Sequence, residues 1–138
     1  MDLNKLMMDF LAEEGFRPHE APFGIAFKSE GFNYIYLKDE DDDQYFRLMM
    51  PAIFEVTEDN EDTIMRVMNE VNGNIKVVKL YTMNTEDEDG KTDTSVWVGF
   101  EILADTTPEL NDIVPRALTL MRAARDTFFA KLEAAANN

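Results

Sequence analysis

The apolar residues of this chain change their spacing along the sequence, and the alternation limits the folds open to it. Leu3, Leu6, Met7, Phe10 and Leu11 recur at helical spacing. Asp2 stands where an N-cap belongs, and Gly15 where a left-handed C-terminal residue belongs. A helix over Asp2 to Glu14 follows, with Phe16 folding back on Leu11. The period then drops to two. Phe23, Ile25 and Phe27 alternate with small or polar residues, and Ser29-Glu30-Gly31 is a turn signal. Phe32 to Lys38 and Tyr45 to Met50 continue as strands around the acidic run Asp39 to Asp43. Pro51 ends the latter strand or bends it.

Helical spacing returns at Ile64, Val67, Met68 and Val71. Thr57 is placed to cap this helix, acids fill its first turns, and Asn72-Gly73 is placed to stop it. Ile75 to Met83 and Thr94 to Leu103 read as two strands around Glu86-Asp87-Glu88-Asp89-Gly90. Thr107-Pro108 then opens a last helix. Its apolar residues, from Leu110 to Leu132, hold one phase across Pro115 and imply a single kinked helix. The order is α-β-β-β-α-β-β-α. It predicts a two-layer α+β domain with a five-stranded, antiparallel-rich sheet packed on helices. At 138 residues and 45% apolar content, one domain spanning 1–138 is expected, with a core that needs no staple.

Charge excludes some partners. Twenty-eight acidic residues against 13 basic ones leave a formal net charge of −15. Nucleic-acid backbones and anionic membranes are repelled by such a chain unless it carries a local basic patch. Without cysteine there are no thiol nucleophiles, disulfides or iron–sulfur clusters, and one histidine cannot build a multi-histidine metal site. The N-terminus lacks the basic and apolar regions of a signal peptide, and no apolar run reaches membrane-spanning length. A cytoplasmic protein without cofactor is the expectation.

The chemical motifs are weak. Asp39 to Asp43 lacks the spacing and the central glycine of an EF-hand loop, so it reads as a solvated turn. A helix of about 15 residues, roughly 22 Å long, carries the chain back past the third strand. The fourth strand then runs parallel to the third, and the two acidic turns fall at opposite ends of the sheet. His19 would have to work with Ser29 or Ser95, neither of which sits in a nucleophile elbow, and it reads as a residue of a connecting loop. The glycines form no phosphate-binding pattern.

Strand parity is more informative. In the third strand Phe46, Leu48 and Met50 share one face, with Tyr45, Arg47 and Met49 on the other. In the fifth, Val96, Val98, Phe100 and Ile102 oppose Ser95, Trp97, Gly99 and Glu101. In the second, Ile35 and Leu37 oppose Tyr34 and Tyr36. The fourth strand is ambiguous, with Val78 and Leu80 opposing Val77, Lys79 and Tyr81. One consistent solution places the aliphatic sets against the helices and gathers Tyr34, Tyr36, Tyr45, Met49, Tyr81 and Trp97 on the opposite face, with Arg47 and Lys79. Such residues favour interfaces, so this face is the expected partner-binding surface, unless a helix covers it.

The stretch Leu3-Asn4-Lys5-Leu6-Met7-Met8-Asp9-Phe10-Leu11, the aromatic meander from Phe23 to Leu48, the helix ending Val71-Asn72-Gly73-Asn74 and the closing helix Pro108 to Leu132 resemble the YbjN-like family. These are bacterial proteins described as sensory transduction regulators, with the fold of type III secretion chaperones. The resemblance implies that fold and a non-enzymatic role engaging a polypeptide partner, as a homodimer. A small hydrolase using a carboxylate pair, or a structural oligomer subunit, is the alternative.

Overall fold

The computed structural model describes residues 1–137 of the chain. Helix α1 (Leu3–Glu13) begins where Asp2 accepts a side-chain hydrogen bond from the Lys5 N–H. It ends in a Schellman motif. Gly15 takes φ of 83°, its N–H donates to the Ala12 carbonyl, and the Phe16 N–H donates to Leu11 at 3.0 Å.

Strands β1 (His19–Ala21), β2 (Gly24–Ser29), β3 (Phe32–Leu37) and β4 (Tyr45–Val56) then form an antiparallel meander. The sheet has six strands rather than five. The added strand, β1, is only three residues long and lies between Pro18 and Pro22. No alternation is visible in so short a piece, and pairing with β2 creates it. His19 therefore stands in a strand, not in a connecting loop. Glu30 and Gly31 both have positive φ, 50° and 84°, as a two-residue hairpin of the right-handed twist requires.

Pro51 bends β4 without ending it. The ladder with the last strand shifts between Met50 and Phe54, with Ala52 at a φ of 47°, and resumes to Val56. Helix α2 (Glu61–Asn74) starts four residues after Thr57. Its N-cap is Asn60, whose side chain accepts from the Thr57 N–H instead of capping the helix. It also runs past Asn72-Gly73. Strand β5 (Val78–Glu86), strand β6 (Thr92–Leu103) and helix α3 (Leu110–Ala136) complete the chain. The last helix begins just after Thr107-Pro108, with Glu109 as N-cap, and is continuous through Pro115.

The strand order is β1-β2-β3-β4-β6-β5, and every pairing is antiparallel. Strands β4 and β5 point the same way with β6 between them. Tyr45 pairs with Leu103 at one end of β6, and Glu86 pairs with Thr92 at the other. The two acidic turns therefore lie at opposite ends of the sheet. The outer edge of β5 is blunted at one point, where the Asn72 side-chain amide bonds both the N–H and the C=O of Leu80.

All three helices lie on one face. Their buried residues, including Met7, Leu11, Ile64, Val71, Met121 and Phe128, join Ile25, Phe27, Tyr34, Tyr36, Phe46, Leu48, Val98 and Phe100 in one cluster. Met49 is buried too, but stands outside that cluster. No helix among the described residues is long and apolar enough to cross a membrane.

Ion pairs are sparse and sit at the surface, as in Lys131–Glu70 at 2.7 Å between α3 and α2. With a net charge of −15, self-repulsion should dominate them. The melting temperature is therefore expected to rise between low and moderate NaCl, as screening contracts to about 8 Å at physiological ionic strength. A flat or falling value in differential scanning calorimetry would show that the ion pairs outweigh the repulsion.

Candidate binding face

Residues paired directly across an antiparallel ladder share a face. Tyr36 pairs with Leu48, and Leu48 with Phe100, which is buried under the helices. Tyr34 pairs with Phe27, whose ring stacks on it at 5.5 Å. Tyr34 and Tyr36 are thus core residues, 0% and 1% exposed, and do not belong to the expected binding surface. The aliphatic Ile35 and Leu37 do not face the helices, contrary to the expectation from their side chains. The hairpin held the corrective signal. A two-residue turn at Glu30-Gly31 sets Phe27 opposite Tyr34 and Ile25 opposite Tyr36, so inward-facing Phe27 and Ile25 carry both tyrosines inward.

The other four residues do share the far face. Met49 pairs with Ile35 and Gly99, and Tyr81 with Trp97. Tyr45 and Arg47 continue the row on β4, and Lys79 on β5. No described element covers this side of the sheet. Trp97 and Tyr81 remain half-buried, while Lys79 and Glu101 are exposed.

The surface is internally organised. The Tyr81 ring lies across β6 at Gly99, and its hydroxyl donates to Met49 Sδ at 3.1 Å. Only glycine permits this, since a Cβ at position 99 would sit 2.7 Å from Tyr81 Cε1. Burial, and then the nearby Glu101 carboxylate, push the Tyr81 phenol up to about 12. Burial and a hydrogen bond with Glu101 also raise the Tyr45 phenol. The Arg47 guanidinium lies 5.1 Å from the Tyr45 ring centroid, and its buried Nε finds no acceptor among the described residues. The Trp97 indole donates to Ser95 Oγ at 3.0 Å. Lys79 bends its amine to the carbonyls of Asn72 and Ile75 at the end of α2. Ile35, Gly99 and Glu101 belong to this face although parity alone did not mark them as functional.

Gly99→Ala should keep the fold while lifting the Tyr81 ring into solvent. The Tyr81 phenol should then fall from about 12 towards the ordinary value near 10. Ring-carbon NMR titration reads this directly, and an unmoved titration would show that the ring does not rest on Gly99.

The other candidates do not assemble. His19 is on the same sheet face as Ala26, whereas Ser29 shares the inward face of Phe27 on the other side of the sheet. Ser95 lies on β6, with three strands between it and β1. In the first acidic turn, Asp39 Oδ1 accepts the N–H groups of Asp41 and Asp42 at 2.9 and 3.0 Å. In the second, Asp87 Oδ1 accepts those of Asp89 and Lys91. These carboxylates shape their own turns.

No protein-family model matches the sequence, and no curated protein matches it. Among solved structures, the crystal structure of YbjN from E. coli, described as a proposed transcription regulator, matches with a TM-score of 0.59 at 12% identity. The match covers 96% of this chain and 91% of that one. The chain has the YbjN fold. The six strands and three helices described above form this chain's version of it. Here the YbjN fold exposes one sheet face, and the Tyr45–Trp97 surface occupies it.

Proposed function

We propose that this chain is a non-enzymatic binding module, regulator- or chaperone-like, that engages a polypeptide partner through its open sheet face and works as a homodimer. The observation that carries this reading is the uncovered surface of Tyr45, Arg47, Tyr81 and Trp97, floored by the buried Met49, in a fold whose three helices all pack on the other side. Tyr, Trp, Met and Arg are the residues enriched at protein interfaces. The Arg47 Nε without an acceptor supports the same reading, because a carbonyl of an incoming segment would satisfy it. YbjN's description as a proposed transcription regulator fits binding rather than chemistry. Such a role would run through another protein, since a charge of −15 opposes contact with phosphate backbones. The dimer follows the resemblance to secretion chaperones.

The test is selection of a displayed peptide library on the full chain, followed by measurement of each selected peptide against the Trp97→Ala variant. Selected peptides are expected to lose affinity on the variant. A library yielding only peptides indifferent to Trp97 would remove this face from the function. Sedimentation equilibrium addresses the dimer, and a monomer at every working concentration would exclude it.

A further inference from the structure

A second feature of the open side borders the aromatic surface at Ile35. Strand β1 is only three residues long, and β4 keeps register with β3 only at Met49 and Leu48 before Pro51 bends it away. Between these two departures the face of the continuous β2–β3 ladder carries a hollow. The cavity measures about 680 Å³, within the range of small-molecule sites. Ala26 lines it, flanked across the ladders by His19 and Ile35, with Pro51 also on the wall. The small methyl of Ala26 leaves the middle of the hollow unfilled.

The charges around it run against the rest of the molecule. Arg17 and Lys28 line the cavity together with His19, and no lining residue is a carboxylate, in a chain with more than twice as many acids as bases. Among the described residues, neither Arg17 nor Lys28 forms an ion pair. Arg17 also holds a left-handed backbone conformation, φ 54°, which an arginine seldom adopts. Two unpaired cations beside an apolar hollow suit a ligand with an apolar body and one negative group.

We infer that the hollow over Ala26 binds a small amphipathic organic anion, with its apolar body against Ala26, Ile35 and Pro51 and its acid group at Arg17 and Lys28. The walls supply burial, and the two cations supply discrimination by charge. The hollow borders the aromatic surface at Ile35, which pairs with Met49, but Trp97 does not line it, so the Trp97→Ala variant tells the two readings apart.

The test uses two fluorescent probes on the full chain, anilinonaphthalene sulfonate and its uncharged parent N-phenylnaphthylamine. The sulfonate is expected to bind saturably, one per chain, and about tenfold more tightly than the parent. The double variant Arg17→Gln/Lys28→Gln should abolish that preference while leaving the parent's affinity within about twofold. Ala26→Trp, which fills the hollow, should abolish binding of both probes, and Trp97→Ala should change neither. Equal affinity for the two probes on the native chain would overturn the inference. So would sulfonate binding that survives loss of both cations, or binding of either probe that survives in a folded Ala26→Trp chain. The charge variants lie at exposed positions, so they keep the test decisive even where Ala26→Trp does not fold.

Discussion

Tyr36→Ala is expected to cost this protein about 3–5 kcal/mol of folding stability, because the ring it removes is fully enclosed. Tyr36 is 1% exposed, pairs with Leu48 across the sheet and packs against Phe46 at 5.4 Å between ring centroids. With total stabilities of about 5–15 kcal/mol, this is a large share. At roughly 3–5 °C per kcal/mol for a domain near this size, the melting temperature should fall by about 10–20 °C. The phenol provides a second signature. Burial pushes it up to about 12, with the charges of Asp2 and Asp39 adding to the shift. A folded value above the unfolded one means that the neutral form is favoured in the fold. That contribution is complete below about pH 10 and is lost as pH rises from about 10 to 12. Tyr36→Phe keeps the ring, so it should retain most of the stability at neutral pH and flatten the alkaline loss. Urea unfolding of both variants across that pH range measures the two effects. A Tyr36→Ala chain with native stability would place the ring outside the core.

Trp97→Ala is expected to do the reverse. The indole is half-buried on the open face, outside the helix-packed cluster, and its N–H is bonded within its own strand. Its removal should leave the unfolding midpoint nearly in place. Association through that face should weaken by more than ~2 kcal/mol, roughly thirtyfold in the dissociation constant, because Trp and Tyr dominate interface energetics. Its neighbours strengthen the expectation. Tyr81, held over Gly99, and Met49 beneath it form a preorganised apolar patch, so little side-chain freedom remains to be lost on binding. Trp97 is the only tryptophan, so its emission reports any covering of the face without a label. Sedimentation and unfolding of the same variant separate the outcomes. A large loss of stability with unchanged assembly would make Trp97 a core residue and remove the binding face.

These two aromatic residues mark the boundary between what was legible in the sequence and what was not. The Asp2 cap, the Gly15 terminus and the single phase from Leu110 to Leu132 could all be read directly, because each is decided within one continuous segment of chain. Which residues alternate along β4 and β6 was equally readable, and it placed Tyr45, Met49 and Trp97 together correctly. The separation of the acidic turns followed from the length of α2.

What remained hidden depended on pairing. Parity within β3 is local, but the choice of its inward face depends on the ladders to β2 and β4, and aliphatic character was the wrong guide for Tyr34 and Tyr36. Strand β1 has no pattern of its own and exists through its hydrogen bonds to β2. The hollow over Ala26 forms where β1 is short and β4 bends at Pro51, two features far apart in the chain. The sequence by itself determined the order of the elements other than β1, both ends of α1 and which residues alternate along most strands, since those are set by steric and hydrogen-bonding demands among near neighbours. Only the tertiary structure decided which face the helices cover, that the tyrosines of β3 lie inside, and that Arg17 and Lys28 line one cavity. Burial and cross-strand register are set by contacts between segments that local chemistry does not couple.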